Sequence, residues 1–95
     1  MAAYIIARIR VTDPTRYEEY KKLSPAAAAA FGGEFIVRGG ETETLEGEEE
    51  TRRLVVVRFD SMDKARAFYR SEQYQAAKAA REGAAEAQFV LVDGA

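Results

Sequence analysis

"YIIARIRVTDPTRYEEY", residues 4–20, changes its period half-way along, and that change decides the fold. Residues 4–11 alternate as a strand does. Ile5, Ala7, Ile9 and Val11 fall on one face, and Tyr4, Ile6, Arg8 and Arg10 on the other. A helix follows. Thr12 or Asp13 caps its free N–H groups, and Pro14 suits its first position. The helix is expected to reach about Phe31, with Tyr17, Tyr20, Ser24, Ala27 and Phe31 as its inward stripe. Pro25 is expected to kink it or to start a new turn. The alanine run at 26–30 reads as helix lying close against a sheet, where bulk would not fit. Gly32 and Gly33 supply the stop.

Outward from this unit, "EFIVR" (34–38) and "RLVVVRF" (53–59) read as strands two and three. If they pair as a hairpin with matching faces, Ile36 opposes Val56, Arg38 opposes Leu54 and Glu34 opposes Arg58. Between them lies an arm at about 40–52, with six glutamates and its tip near Leu45–Gly47. It reads as a solvated tip or as an arm that touches a second subunit. Gly39 and Gly40 follow a strand but open no helix, so they read as a bend or bulge rather than a phosphate cradle. A second helix starts after Ser61, with Ala65, Phe68 and Tyr69 inward. Ser71 looks like another cap, which predicts a break and a further segment from Glu72 to Arg81. Gly83 ends it, and residues 87–93 form the last strand.

The order β-α-β-β-α-β is the split-βαβ, or ferredoxin-like, α+β arrangement. Right-handed crossovers then give one antiparallel sheet of order 4-1-3-2, with the helices on one face. The 95 residues fit a single domain over 1–95.

Composition removes much chemistry. The chain has no Cys, His, Trp or Asn. Disulfides, thiol nucleophiles and His-based catalytic pairs are therefore absent, and zinc and haem lose their usual ligands. No metal site and no cofactor are expected. A net charge of −2 gives no general pull toward nucleic acid or anionic lipid. No apolar run approaches the ~20 residues of a membrane span, and the N-terminus does not read as a signal peptide. A cytoplasmic location is expected.

The helix-free face is the candidate site. It should carry Tyr4, Ile6, Arg8 and Arg10, then Glu34, Ile36 and Arg38, then Leu54, Val56 and Arg58, then Gln88, Val90 and Val92. Its centre is too apolar to remain in water, which predicts a homodimer through this face. Arg8 and Arg38 should lie at one end, about 10 Å apart, where two guanidinium groups can close on one carboxylate or phosphate. The substrate-binding set is then Arg8, Arg38, Tyr4, Ile6, Ile36 and Val56. In the other reading each arginine pairs with a glutamate at the rim of a dimer interface, and Arg58 pairs with Glu34. RNA-recognition domains share this element order, but they stack bases on central aromatics, and this face has none at Ile6, Leu54 and Val56.

Three segments together carry a resemblance: Asp13-Pro14 with Tyr17 and Tyr20; Gly32-Gly33 with Arg38-Gly39-Gly40; and Ser71-x-x-Tyr74 with Lys78 and Arg81. In these the chain resembles the bacterial domain-of-unknown-function family 1330. The resemblance implies the dimeric α/β-barrel variant of the ferredoxin-like fold, and implies no activity. The wider superfamily includes cofactor-independent monooxygenases, muconolactone isomerases and haem enzymes. An enzyme of this kind would be a cofactor-independent isomerase or oxygenase. The expected role is an uncharacterised small dimeric protein binding a small anionic, partly apolar molecule on the helix-free face. The alternative is a non-catalytic dimer whose open faces fill each other.

Overall fold

The computed structural model describes all 95 residues. In chain order the elements are β1 (Ala3–Val11), α1 (Pro14–Ala30), β2 (Glu34–Arg38), β3 (Arg53–Phe59), α2 (Met62–Arg70), α3 (Glu72–Ala80) and β4 (Ala85–Asp93). All strand pairs are antiparallel, in the order β2-β3-β1-β4. The ferredoxin-like topology expected from the sequence is the one observed.

Local chemistry sets the element ends. The Asp13 carboxylate accepts the Arg16 N–H at 3.1 Å, and Pro14 sits where a helix N–H would be unpaired anyway. Ser61 Oγ caps α2 by accepting the Lys64 N–H at 3.1 Å. Ser71 works on two helices at once. Its hydroxyl donates to the Phe68 carbonyl at 2.6 Å, closing α2, and accepts the Tyr74 N–H at 3.1 Å, opening α3. α1 runs through Pro25 as one helix rather than restarting there.

The core lies between the sheet and the helices. Ala3, Ile5, Ala7 and Ile9 of β1 are buried, as are Val55, Val57 and Phe59 of β3. Helix side chains Tyr17, Tyr20, Phe68 and Tyr74 close over them. The rings stack in a chain: Phe59 to Phe68 at 5.0 Å, Phe68 to Tyr74 at 4.7 Å and Tyr69 to Tyr74 at 5.2 Å between centroids. Aromatic pairs at these distances add to plain area burial. Tyr74 is the hub and is almost wholly buried.

Two expectations of register are corrected. β4 starts at Ala85 rather than 87, because Ala85 still pairs with Val11. In the β2–β3 pair the register shifts between Phe35 and Val37, so Val37 opposes Val56 and Arg38 opposes Val55. Ile36 is the extra residue of a β-bulge. β2 is an edge strand, with no neighbour on its outer side to hold the pleat in step.

Gly33 is required for a steric reason. A Cβ there would sit 2.7 Å from Cε1 of the Phe59 ring, whereas a Cβ on Gly40 would meet nothing within 4 Å. Gly33→Ala is expected to lower unfolding stability by about 1–3 kcal/mol as the ring is displaced. Gly40→Ala should stay within about 0.5 kcal/mol of the parent. Paired urea denaturation curves check both.

Candidate functional site

Strand alternation decides what the helix-free face shows. Val37, Val56, Ile6 and Val90 are registered side by side, so one apolar row crosses all four strands. On one side of it Leu54, Arg8 and Gln88 align, and on the other Arg58, Tyr4 and Val92. No helix covers this row. Ile36 is 48% exposed, Val37 41%, Val90 41% and Val92 43%, a density of bare β-branched side chains that calls for a cover.

Five of the six residues expected to bind a ligand, Tyr4, Ile6, Arg8, Ile36 and Val56, remain on or at the edge of this face. Arg38 does not. The bulge at Ile36 shifts the alternation by one residue, so Arg38 is registered with helix-side Val55. Its guanidinium lies over the Phe35 ring, 4.9 Å from the centroid. The expected two-arginine clamp is therefore absent: Arg8 and Arg38 are on opposite sides of the sheet.

Arg8 has an internal partner instead. Its Nε is 3.4 Å from Glu50 Oε2, a carboxylate carried by the acidic arm. Arg52 grips the same carboxylate as a fork, with Nε donating to Oε1 at 2.9 Å and Nη2 to Oε2 at 3.1 Å. The Glu50 N–H donates to Thr44 Oγ1 at 2.9 Å, which closes the arm on itself. The Arg52 hydrogen bonds, helped by the charge of Arg8, hold the Glu50 carboxyl down to about 2 from an ordinary 4.5. At least this end of the arm is thus tied to the sheet. Arg58 pairs with Asp60 at 3.5 Å rather than with Glu34 across the strand, because the nearer carboxylate wins.

Beneath the helices runs a polar seam that sequence reasoning did not propose as a site. Tyr20 Oη and Tyr74 Oη are 2.9 Å apart and buried. Burial pushes the Tyr20 phenol well above its ordinary range, and Tyr74 beside it adds to the shift. Burial also raises Tyr17, against the opposing pull of Arg53 and Arg81. Both phenols therefore stay protonated at neutral pH and are unsuited as general bases. Arg81 is 9% exposed, and its guanidinium lies between two rings, 5.0 Å from Phe89 and 5.3 Å from Tyr20. Burial opposes its charge, but the Tyr74 and Tyr20 hydroxyls beside it more than compensate, and its pKa ends above the ordinary value. A signal for it was present in the sequence. Tyr74, Lys78 and Arg81 are spaced i, i+4, i+7, which places all three on one side of a helix. No group of three or more carboxylates comes together in metal-binding geometry. No helix is long and apolar enough to cross a membrane.

Over residues 2–95 the sequence matches the family described as a domain of unknown function, DUF1330. The chain belongs to that family. No curated protein matches it. Among solved structures, the DUF1330 chain is similar to a protein of unknown function from Rhodopseudomonas palustris, with a TM-score of 0.76 and 17% identity over 99% of this chain and 82% of that one. It is similar to SnoaB, a cofactor-independent oxygenase from Streptomyces nogalater, with a TM-score of 0.70 and 15% identity over 99% and 93%. It is also similar to a dimeric ferredoxin-like protein of unknown function from Thermobifida fusca, with a TM-score of 0.66 and 22% identity over 99% and 92%. At these identities the likeness is one of fold.

The Glu50 fork has a pH consequence. Its folded pKa is depressed, so its pairing is fully present above about pH 4.5 and is lost as pH falls through about 2. Arg52→Ala is expected to return the Glu50 carboxyl toward 4.5, with Arg8→Ala moving it less. Carboxyl-detected NMR titration reads both shifts.

Proposed function

We propose that this DUF1330 chain works as one half of a homodimer whose helix-free sheet faces pack on each other. The apolar row Val37, Val56, Ile6 and Val90 carries this reading. It crosses the whole sheet, and a twin row on a second copy is self-complementary in chemistry, as a two-fold interface requires. Stable interfaces bury about 800 Å² per partner, an area a four-stranded face can supply. Solved relatives of the same fold described as dimeric, from Thermobifida fusca and Jannaschia, support it. In this arrangement Tyr4 and Ile36 extend the apolar contact, while Arg8, engaged with Glu50, stands at its border.

A second reading is favoured by one feature. A cavity of about 230 Å³ opens at the Arg8 end of the face, lined by Arg8, Arg10, Arg52, Glu86, Ala87 and Gln88. In this reading a small anionic, partly apolar molecule exchanges for Glu50 on Arg8, with Tyr4, Ile6, Ile36 and Val56 as its apolar floor. The anion has one arginine to meet it from the expected pair, since Arg38 is on the other side. Neither reading assigns acid–base catalysis to the chain's own side chains.

Val56→Glu places a charge in the middle of the row. It is expected to turn a dimer into a monomer at micromolar concentration while leaving the far-ultraviolet circular dichroism of the fold intact. Sedimentation equilibrium of both proteins decides. A parent chain that sediments as a monomer at high micromolar concentration overturns the dimer reading.

A further inference from the structure

A larger cavity, of about 430 Å³, lies on the helical side of the sheet, in the range of small-molecule sites. Arg66, Tyr69 and Arg70 of α2, Lys78 of α3, Arg81 just beyond it and Phe89 of β4 line it, and no carboxylate does. Arg66 is engaged with Asp63 at 3.1 Å. Arg70, Lys78 and Arg81 take part in none of the chain's ion pairs. Lys78 Nζ stands 5.7 Å from the Tyr69 ring centroid.

Arg81 gives the cavity its meaning. It is nine-tenths buried, it lines the cavity wall, and its Nε has no hydrogen-bond partner. A desolvated guanidinium without a counter-charge is unfavourable, and proteins rarely leave one so. The Tyr74 and Tyr20 hydroxyls beside it favour its charge but bring no counter-charge, the two rings offer cation–π contact only, and Nε stays unmet. A comparable cluster exists around Arg38 and Arg53, where Arg53 Nε is also unpartnered. The space there is only about 20 Å³, too little for an organic ligand. Room, free cations and an unpaired buried donor coincide only beneath α2 and α3.

We propose that this cavity is a binding site for a small organic carboxylate. Its apolar, ring-sized body lies against Tyr69 and Phe89, and its carboxylate is met by Arg81, with Arg70 and Lys78 at the mouth. A planar carboxylate matches the guanidinium fork, and the aromatic wall selects an apolar body over a bare inorganic anion. The site is on the opposite side of the sheet from the proposed interface and from Arg8. It therefore stands or falls separately from both readings of the helix-free face.

The test uses the full chain with 1-naphthoate as probe, 1-naphthalenemethanol as its uncharged counterpart, and inorganic phosphate. Amide NMR shifts locate binding, and ligand fluorescence measures it. Naphthoate is expected to shift residues 66–70, 78–81 and 87–91, and to bind at least about tenfold more tightly than the alcohol or phosphate. Arg81→Met should abolish binding. If that variant fails to fold, Arg70→Ala and Lys78→Ala at the mouth should each weaken binding about threefold or more. Arg8→Ala should leave the naphthoate shifts of residues 66–70 and 78–81 unchanged, and so should Val56→Glu, which separates this site from the helix-free face. Absence of naphthoate binding at millimolar concentration, equal binding of the alcohol, tighter binding of phosphate, or shifts that follow Arg8 instead each overturn the proposal.

Discussion

Ile5, Ala7 and Ile9 lie in β1, one of the two interior strands, beneath the helices, and the rest of the molecule is arranged around that buried row. β1 bonds to both β3 and β4, so its pleat fixes which side chains of each neighbour go under the helices. The small Ala7 and the alanines of α1 let helix and sheet approach closely, and the aromatic chain from Phe59 through Tyr74 fills the space beyond. With the helices committed to one side, the same pleat forces Ile6, Val56 and Val90 onto the other. Burial on one side and the bare apolar row on the other are thus one fact about a period of two.

Much of this was legible from residue order. The strand-to-helix switch around Asp13-Pro14 and the caps at Ser61 and Ser71 are local signals, and each marked its element correctly. The candidate site was less legible, because it depended on a five-residue edge strand. "EFIVR" contains nothing that announces a bulge, and one extra residue at Ile36 was enough to carry Arg38 through the sheet to the helical side. Of the ion pairs drawn from the sequence, the one between Arg58 and Glu34 was misread. Arg58 meets Asp60 two residues on instead of its cross-strand partner, while Arg8 does meet a glutamate, one carried by the arm. Arg81 lay in the sequence as part of a helix-face spacing, but only its burial sets it apart from the other surface-seeking arginines.

The charges are sorted by environment as well as by sign. Glu50 sits where three groups stabilise its ionised form, and its proton is held off to low pH. Tyr17 and Tyr20 sit where their ionised forms would be desolvated, and their protons are retained. The arm therefore keeps its clasp across the physiological range, and the tyrosine seam keeps its hydrogen bonds, without either offering a group that gains and loses protons near neutrality.

The kink at Ile36 also bears on how copies of this chain can meet. A straight, flat outer strand exposes a row of N–H and C=O groups on which another chain can lay down a further strand, and successive additions build a ribbon without end. β2 is short, its spacing is broken in the middle, and the positive φ of Gly39 turns the chain out of the sheet directly afterwards. That border is a poor template for growth. Under the proposed face-to-face pairing, the β2 border does not compete with the broad face, where two copies would saturate each other and assembly would stop.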